Sequence, residues 1–151
     1  MTTILAHEFS MPQAAVIGRV DVRNLSYWLR SGLVKPAKPA TGRGRWHAHK
    51  FTYRELVAIR TIGELRAEGL SLQKIRRAVE ALRRDWPQKG DLSGAKLVFD
   101  GAGEVYLVLD EKRVVGLLRK PGQIALRSVF DVDLIAREVR TAAELEMRRA
   151  A

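Results

Sequence analysis

The chain has 151 residues, an apolar fraction of 46%, a net charge of +10 and no cysteine. The missing cysteines exclude disulfides, thiolate zinc sites and cysteine nucleophiles. No run approaches the ~20 apolar residues of a membrane span, and the first residues lack a basic stretch followed by an apolar core. Neither a span nor a signal peptide is therefore expected, and a cytoplasmic location is. The charge is uneven. Residues 1–90 hold 17 Lys/Arg against 7 Asp/Glu, whereas residues 91–151 hold 10 of each. A basic part joined to a neutral one points to a polyanion-binding head and a second module with another task.

Taken in chain order, residues 10–17 read as a short helix. Ser10 is its cap, Pro12 sits in its first turn where a missing N–H costs nothing, and Gly18 ends it. A second helix starts at Asp21, with Val22, Leu25 and Leu29 as a buried stripe, and Gly32 stops it. Two short helices around a Gly-containing turn outline a helix-turn-helix. Residues 33–51 contain Pro36, Pro39, Gly42 and Gly44 among many cations, which excludes a helix. A wing hairpin is expected, with 45–47 and 49–51 as its strand-like parts. Thr52 and Glu55 fit a capping box for a third helix carrying Leu56, Ile59, Ile62 and Leu65 up to Gly69. Ser71 caps a fourth helix whose stripe is Leu72, Ile75, Val79 and Leu82, with Trp86 one step on and Pro87 and Gly90 ending it.

From residue 95 the period changes. Residues 96–100 and 104–110 flank Gly101-Ala102-Gly103, a hairpin signal. Residues 113–118 are short and apolar, suiting a strand or a helical turn. Pro121-Gly122 marks a turn, and 123–130 read as extended. Asp131 caps a last helix with Val132, Ile135 and Val139 on one face, and the charged tail from Glu144 is expected to fray. The expected fold is α+β: a head of four helices and a wing over residues 1–88, then a small β-meander and a C-terminal helix over 91–151.

The chemistry lies in the head. A helix in the major groove needs an apolar face toward its scaffold and a polar, basic face toward base edges. In residues 21–31 the outward set is Arg23, Asn24, Ser26, Tyr27 and Arg30. Arg suits guanine and Asn suits adenine in bidentate fashion. The preceding Arg19, the wing cations Lys35, Lys38, Arg43, Arg45, His47, His49 and Lys50, and Tyr53 and Arg54 beyond it, suit phosphates, which set affinity and register. An ordinary solvated basic face is the plain alternative.

The stretch Leu25-Ser26-Tyr27-Trp28-Leu29-Arg30-Ser31-Gly32-Leu33-Val34 resembles the second helix of the mercury-resistance-regulator (MerR) family head. Lys50-Phe51-Thr52-Tyr53-Arg54-Glu55-Leu56 resembles that family's basic-aromatic lead into its third helix. Residues 62–76, around Gly69-Leu70-Ser71-Leu72, resemble the junction of its third and fourth helices. The resemblance covers about residues 10–84. It implies a winged helix-turn-helix that binds double-stranded DNA as a dimer, with Tyr27, Arg30 and Lys50 on the DNA backbone. Two departures stand out: Ser26 replaces an expected Arg, and Trp86-Pro87 with Gly90 interrupts the family's long dimerising helix, so dimerisation is expected on other surfaces. Metal sensing by thiolates is unsupported.

Residues 97–123 more weakly resemble the segment after the MerR-like head of some VapB-type antitoxins. That likeness implies, as an alternative to a homodimeric transcription regulator, an autoregulating antitoxin that neutralises a PIN-domain ribonuclease toxin. His47-x-His49 lacks a third ligand, so no metal is expected. Asp131 and Asp133 read as a cap beside a helix start, and Trp28, Trp46 and Trp86 as packing residues. No nucleophile and base assemble, so neither an enzyme nor a cofactor is expected.

Overall fold

A computed structural model describes residues 4–38, 49–100, 103–110, 112–114 and 128–150. The elements run α1 (Met11–Gly18), α2 (Val22–Arg30), α3 (Tyr53–Ala67), α4 (Leu72–Asp85), β1 (Lys96–Phe99), β2 (Val105–Val108), β3 (Ser128–Asp131) and α5 (Val132–Ala150). The chain is α+β as expected, with an antiparallel three-stranded sheet and a C-terminal helix. Among the described residues no helix is long and apolar enough to cross a membrane.

The contacts divide the chain into two compact units, residues 1–64 with 137–151, and residues 65–136. The division thus falls inside α3 and α5, away from the expected 88–91 boundary, and the segment after residue 136 joins the first unit.

In the first unit, Ser10 closes a capping box. Its hydroxyl accepts from the Gln13 N–H at 3.4 Å, and the Gln13 side chain accepts the Ser10 N–H at 2.9 Å. Gly18 does not break α1 by its own dihedral. It is buried, and a Cβ there would lie 2.5 Å from Ile59 Cγ2. Glycine is needed so that α1 can approach α3. The left-handed residue is Arg19, at φ 53°. The α3 stripe Leu56, Ile59, Ile62 and Leu65 is fully buried, as are Val57 and Thr61, so this helix is enclosed on more than one face. The Thr52 N–H donates to Glu55 Oε2 at 2.8 Å, and the Thr52 hydroxyl meets the same carboxylate. The Arg60 side chain is only 4% exposed and holds Glu64 at 3.1 Å and Glu138 of α5 at 2.8 Å.

In the second unit, Ser71 caps α4, and Ile75, Ala78, Val79, Ala81 and Leu82 form its buried face. Leu72, placed in that stripe by spacing, is instead exposed in the first turn. α4 packs on β2. β1 pairs with β2 and with β3, giving the order β2-β1-β3. A meander would set β3 beside β2; here the chain returns to the far side of β1. Lys96 and Asp131, opposite in register, form an ion pair at 3.2 Å. Asp110 supports a helical turn at 112–114 through the Lys112 N–H at 2.9 Å, which answers the strand-or-helix question for the first of these residues. The rest of 113–118 lies outside the described residues. Asp131 caps α5, accepting from the Leu134 N–H at 3.0 Å. Val132, Ile135 and Val139 are buried as spaced. The helix continues to Ala150 where fraying was expected.

Candidate nucleic-acid interface

The site is built on α2. Its start is fixed by Asp21, whose carboxylate accepts from the Arg23 N–H at 2.8 Å. Its end is fixed by Gly32 at φ 76°, a left-handed position with open space around it. The Ser31 hydroxyl donates to the Trp28 carbonyl at 3.1 Å. That same carbonyl accepts from the Val34 N–H at 3.1 Å, which draws the outgoing chain back along the helix end. Leu25 and Trp28 are the buried residues of the helix. Val22 and Leu29 are half-buried rather than central, because Trp28 takes the inward arc between them.

The opposite face is open. Arg23, Asn24, Tyr27 and Arg30 are all exposed, Tyr27 at 55%. These positions follow at spacings of one, three and three residues, so they share one side of a 3.6-residue helix. Ser26 is half-buried at its margin, and Arg19, in the turn before α2, is exposed.

The chain after α2 forms the base of a hairpin. Lys50 accepts from the Ala37 and Lys38 N–H groups at 2.9 and 3.3 Å and donates to the Lys38 carbonyl at 3.0 Å. Next to it, Phe51 exchanges backbone hydrogen bonds with Phe9 at 2.7 and 2.9 Å. The strand-like part at 49–51 thus lies between Lys38 and Phe9. Its partner among the described residues is 37–38; the other expected half, 45–47, lies outside them, as do Arg43, Arg45 and His47.

The remaining site candidates sort by exposure. Lys35, Lys38, Lys50 and Arg54 are exposed, and His49 is half-buried. Lys38 is ion-paired with Glu8 at 3.1 Å, so any phosphate must compete with that carboxylate. Tyr53 requires a correction: it is 4% exposed and packs in the core at the start of α3, so its side chain is not a surface contact. No cluster of His, Asp or Glu among the described residues is arranged to hold a metal.

Two short helices joined by a tight turn, the second with its polar side open, followed by a paired extended segment, define the helix-turn-helix class of domain. Within that class, residues 9–82 match the family described as MerR HTH family regulatory protein. Proteins of Mycobacterium tuberculosis and Mycobacterium bovis named as HTH-type transcriptional regulators are 34% identical over 109 residues. The aligned part is 72% of this chain and 46% of theirs, so the chain spans about half the length of these curated relatives.

Proposed function

We propose that this chain is a sequence-specific double-stranded-DNA-binding transcription regulator that reads its site as a homodimer. The observation that carries the reading is α2: its apolar residues Leu25 and Trp28 are buried, while Arg23, Asn24, Tyr27 and Arg30 stand exposed together. The family match and the relatives named as transcriptional regulators support the same conclusion.

In this reading α2 enters the major groove. Arg23 and Asn24 meet base edges, each good bidentate pair discriminating by ~1–3 kcal/mol. Tyr27 and Arg30 frame the groove, and Arg19, Lys35, Lys50 and Arg54 meet phosphates. Lys38 joins them once it exchanges Glu8 for a phosphate. Paired heads on paired half-sites are the common solution for such domains. No observation on the described residues or in the relatives' names favours a toxin partner.

The test is a footprint and gel-shift series on the DNA upstream of the gene. Arg23→Ala or Asn24→Ala should weaken the protected site roughly tenfold or more and leave random duplex almost unchanged. Lys50→Ala should weaken both alike. With ~6 phosphates neutralised per subunit, log K should fall against log salt with a slope of about −5 per subunit. Equal affinity for random duplex and for the upstream site would overturn the sequence-specific reading.

A further inference from the structure

The base of the hairpin carries a carboxylate among cations. Residues 1–54 hold nine Lys/Arg and two acids, Glu8 and Asp21. Asp21 caps α2. Glu8 is set on Lys38, Nζ to Oε1, at 3.1 Å. The backbone puts it there. Lys50 pairs with Lys38 on one side and Phe51 pairs with Phe9 on the other, both antiparallel. Side chains alternate along such a segment and match across it. Phe9 and Phe51, both fully buried, thus take the inner face, and Lys38, Lys50 and Glu8, all exposed, take the outer one. Glu8 does not sit on a loose end. Phe9 after it exchanges two backbone hydrogen bonds with Phe51, and the ring of His7 before it lies 4.5 Å from that of Phe9. Lys38 is bonded in the same way to Lys50. Two residues thirty positions apart therefore meet from fixed backbone. Both remain open to solvent, with side chains 69% exposed for Lys38 and 36% for Glu8.

We propose that Glu8 is a selectivity residue for DNA: it holds Lys38 back from phosphates until α2 is seated in its groove. This rests on the reading of α2 as the groove-reading helix given above. An exposed ion pair of this kind is weak, so a phosphate held in place can displace the carboxylate. On random duplex no base contact fixes the register of the head, and phosphate contacts are the sequence-independent part of affinity. Lys38 then stays on Glu8. With Arg23 and Asn24 on their bases the register is fixed, one phosphate stays within reach, and Lys38 transfers to it while Glu8 turns to solvent. A lysine without this partner would grip every sequence alike. Paired with Glu8, it adds affinity only where the bases already fit.

The experiment measures binding of Glu8→Gln, Lys38→Met and the double variant, as full chains, to the upstream site and to random duplex across a salt series. Glu8→Gln should strengthen random-duplex binding about three- to fivefold and upstream-site binding less than about twofold. It should also steepen the random-duplex slope of log K against log salt by about 1 per subunit. Lys38→Met should flatten the slope at the upstream site by about 1 per subunit and leave random duplex nearly unchanged. In the Lys38→Met background, Glu8→Gln should lose most of its effect on either DNA, a coupling that an exchange through Lys38 requires. Melting temperatures should match the wild type, since both side chains are open to solvent. If Glu8→Gln strengthens both DNAs by one factor, or acts equally without Lys38, Glu8 is only a background charge: this inference is wrong and the sequence-specific reader stands. If the wild type itself binds both DNAs alike, the reader and the inference fall together.

Discussion

Gly18 and Arg19 divide between them the work of ending α1. Gly18 allows close approach to Ile59, and Arg19 takes the left-handed turn at φ 53°. Gly18→Ala should therefore overpack the contact and cost about 1–3 kcal/mol in urea denaturation. Arg19→Gly should act in the opposite direction. A non-glycine residue in that region costs about 1–2 kcal/mol, partly offset by the greater chain entropy of glycine. A net gain of about 0.5–1 kcal/mol is expected, together with weaker DNA binding in the same variant. A stability gain without any affinity loss would remove Arg19 from the interface.

At the scale of elements, the local signals served well. Ser10, Asp21, Ser71 and Asp131 each cap the helix they precede, because short polar side chains satisfy orphan N–H groups and no distant residue is needed. The hairpin of β1 and β2 was legible from the Gly101-Ala102-Gly103 turn signal between its two runs for the same reason. What the sequence did not disclose depends on contacts far along the chain. The partner of β3 is β1 rather than β2, a choice that alternation cannot make. Trp28 displaces Val22 and Leu29 from the centre of α2, since a nine-residue helix leaves its inward direction uncertain by one position. Of the interface, the open face of α2 could be read from spacing, whereas the burial of Tyr53 and the Lys38–Glu8 pair could not. Arg60 shows the same limit. Its link to Glu64 is an ordinary four-residue spacing, but its link to Glu138 crosses 78 positions. Removing both carboxylates, as Glu64→Ala with Glu138→Ala, would strand a buried guanidinium and should cost about 3–5 kcal/mol. Arg60→Met should cost less, since both carboxylates are partly exposed and can turn to solvent. Chemical denaturation of the three variants decides the order.

At the scale of the whole molecule, the first compact unit is assembled from residues 1–64 and 137–151. Val139 and Ala143 are fully buried. A fragment of residues 1–88 should accordingly lack part of its core and show reduced helicity by circular dichroism, with non-cooperative melting. A fragment that melts as sharply as the full chain would restore a boundary near residue 88.

The return of α5 to the first unit also sets an order in time. Synthesis proceeds from the N-terminus, and α2, complete by residue 30, waits for more than a hundred further residues before Glu138 can meet Arg60. Chains interrupted before that point should carry every exposed side chain of α2 and yet fail to hold them steadily, so that under the proposed function aborted translation products could not compete with finished ones for DNA.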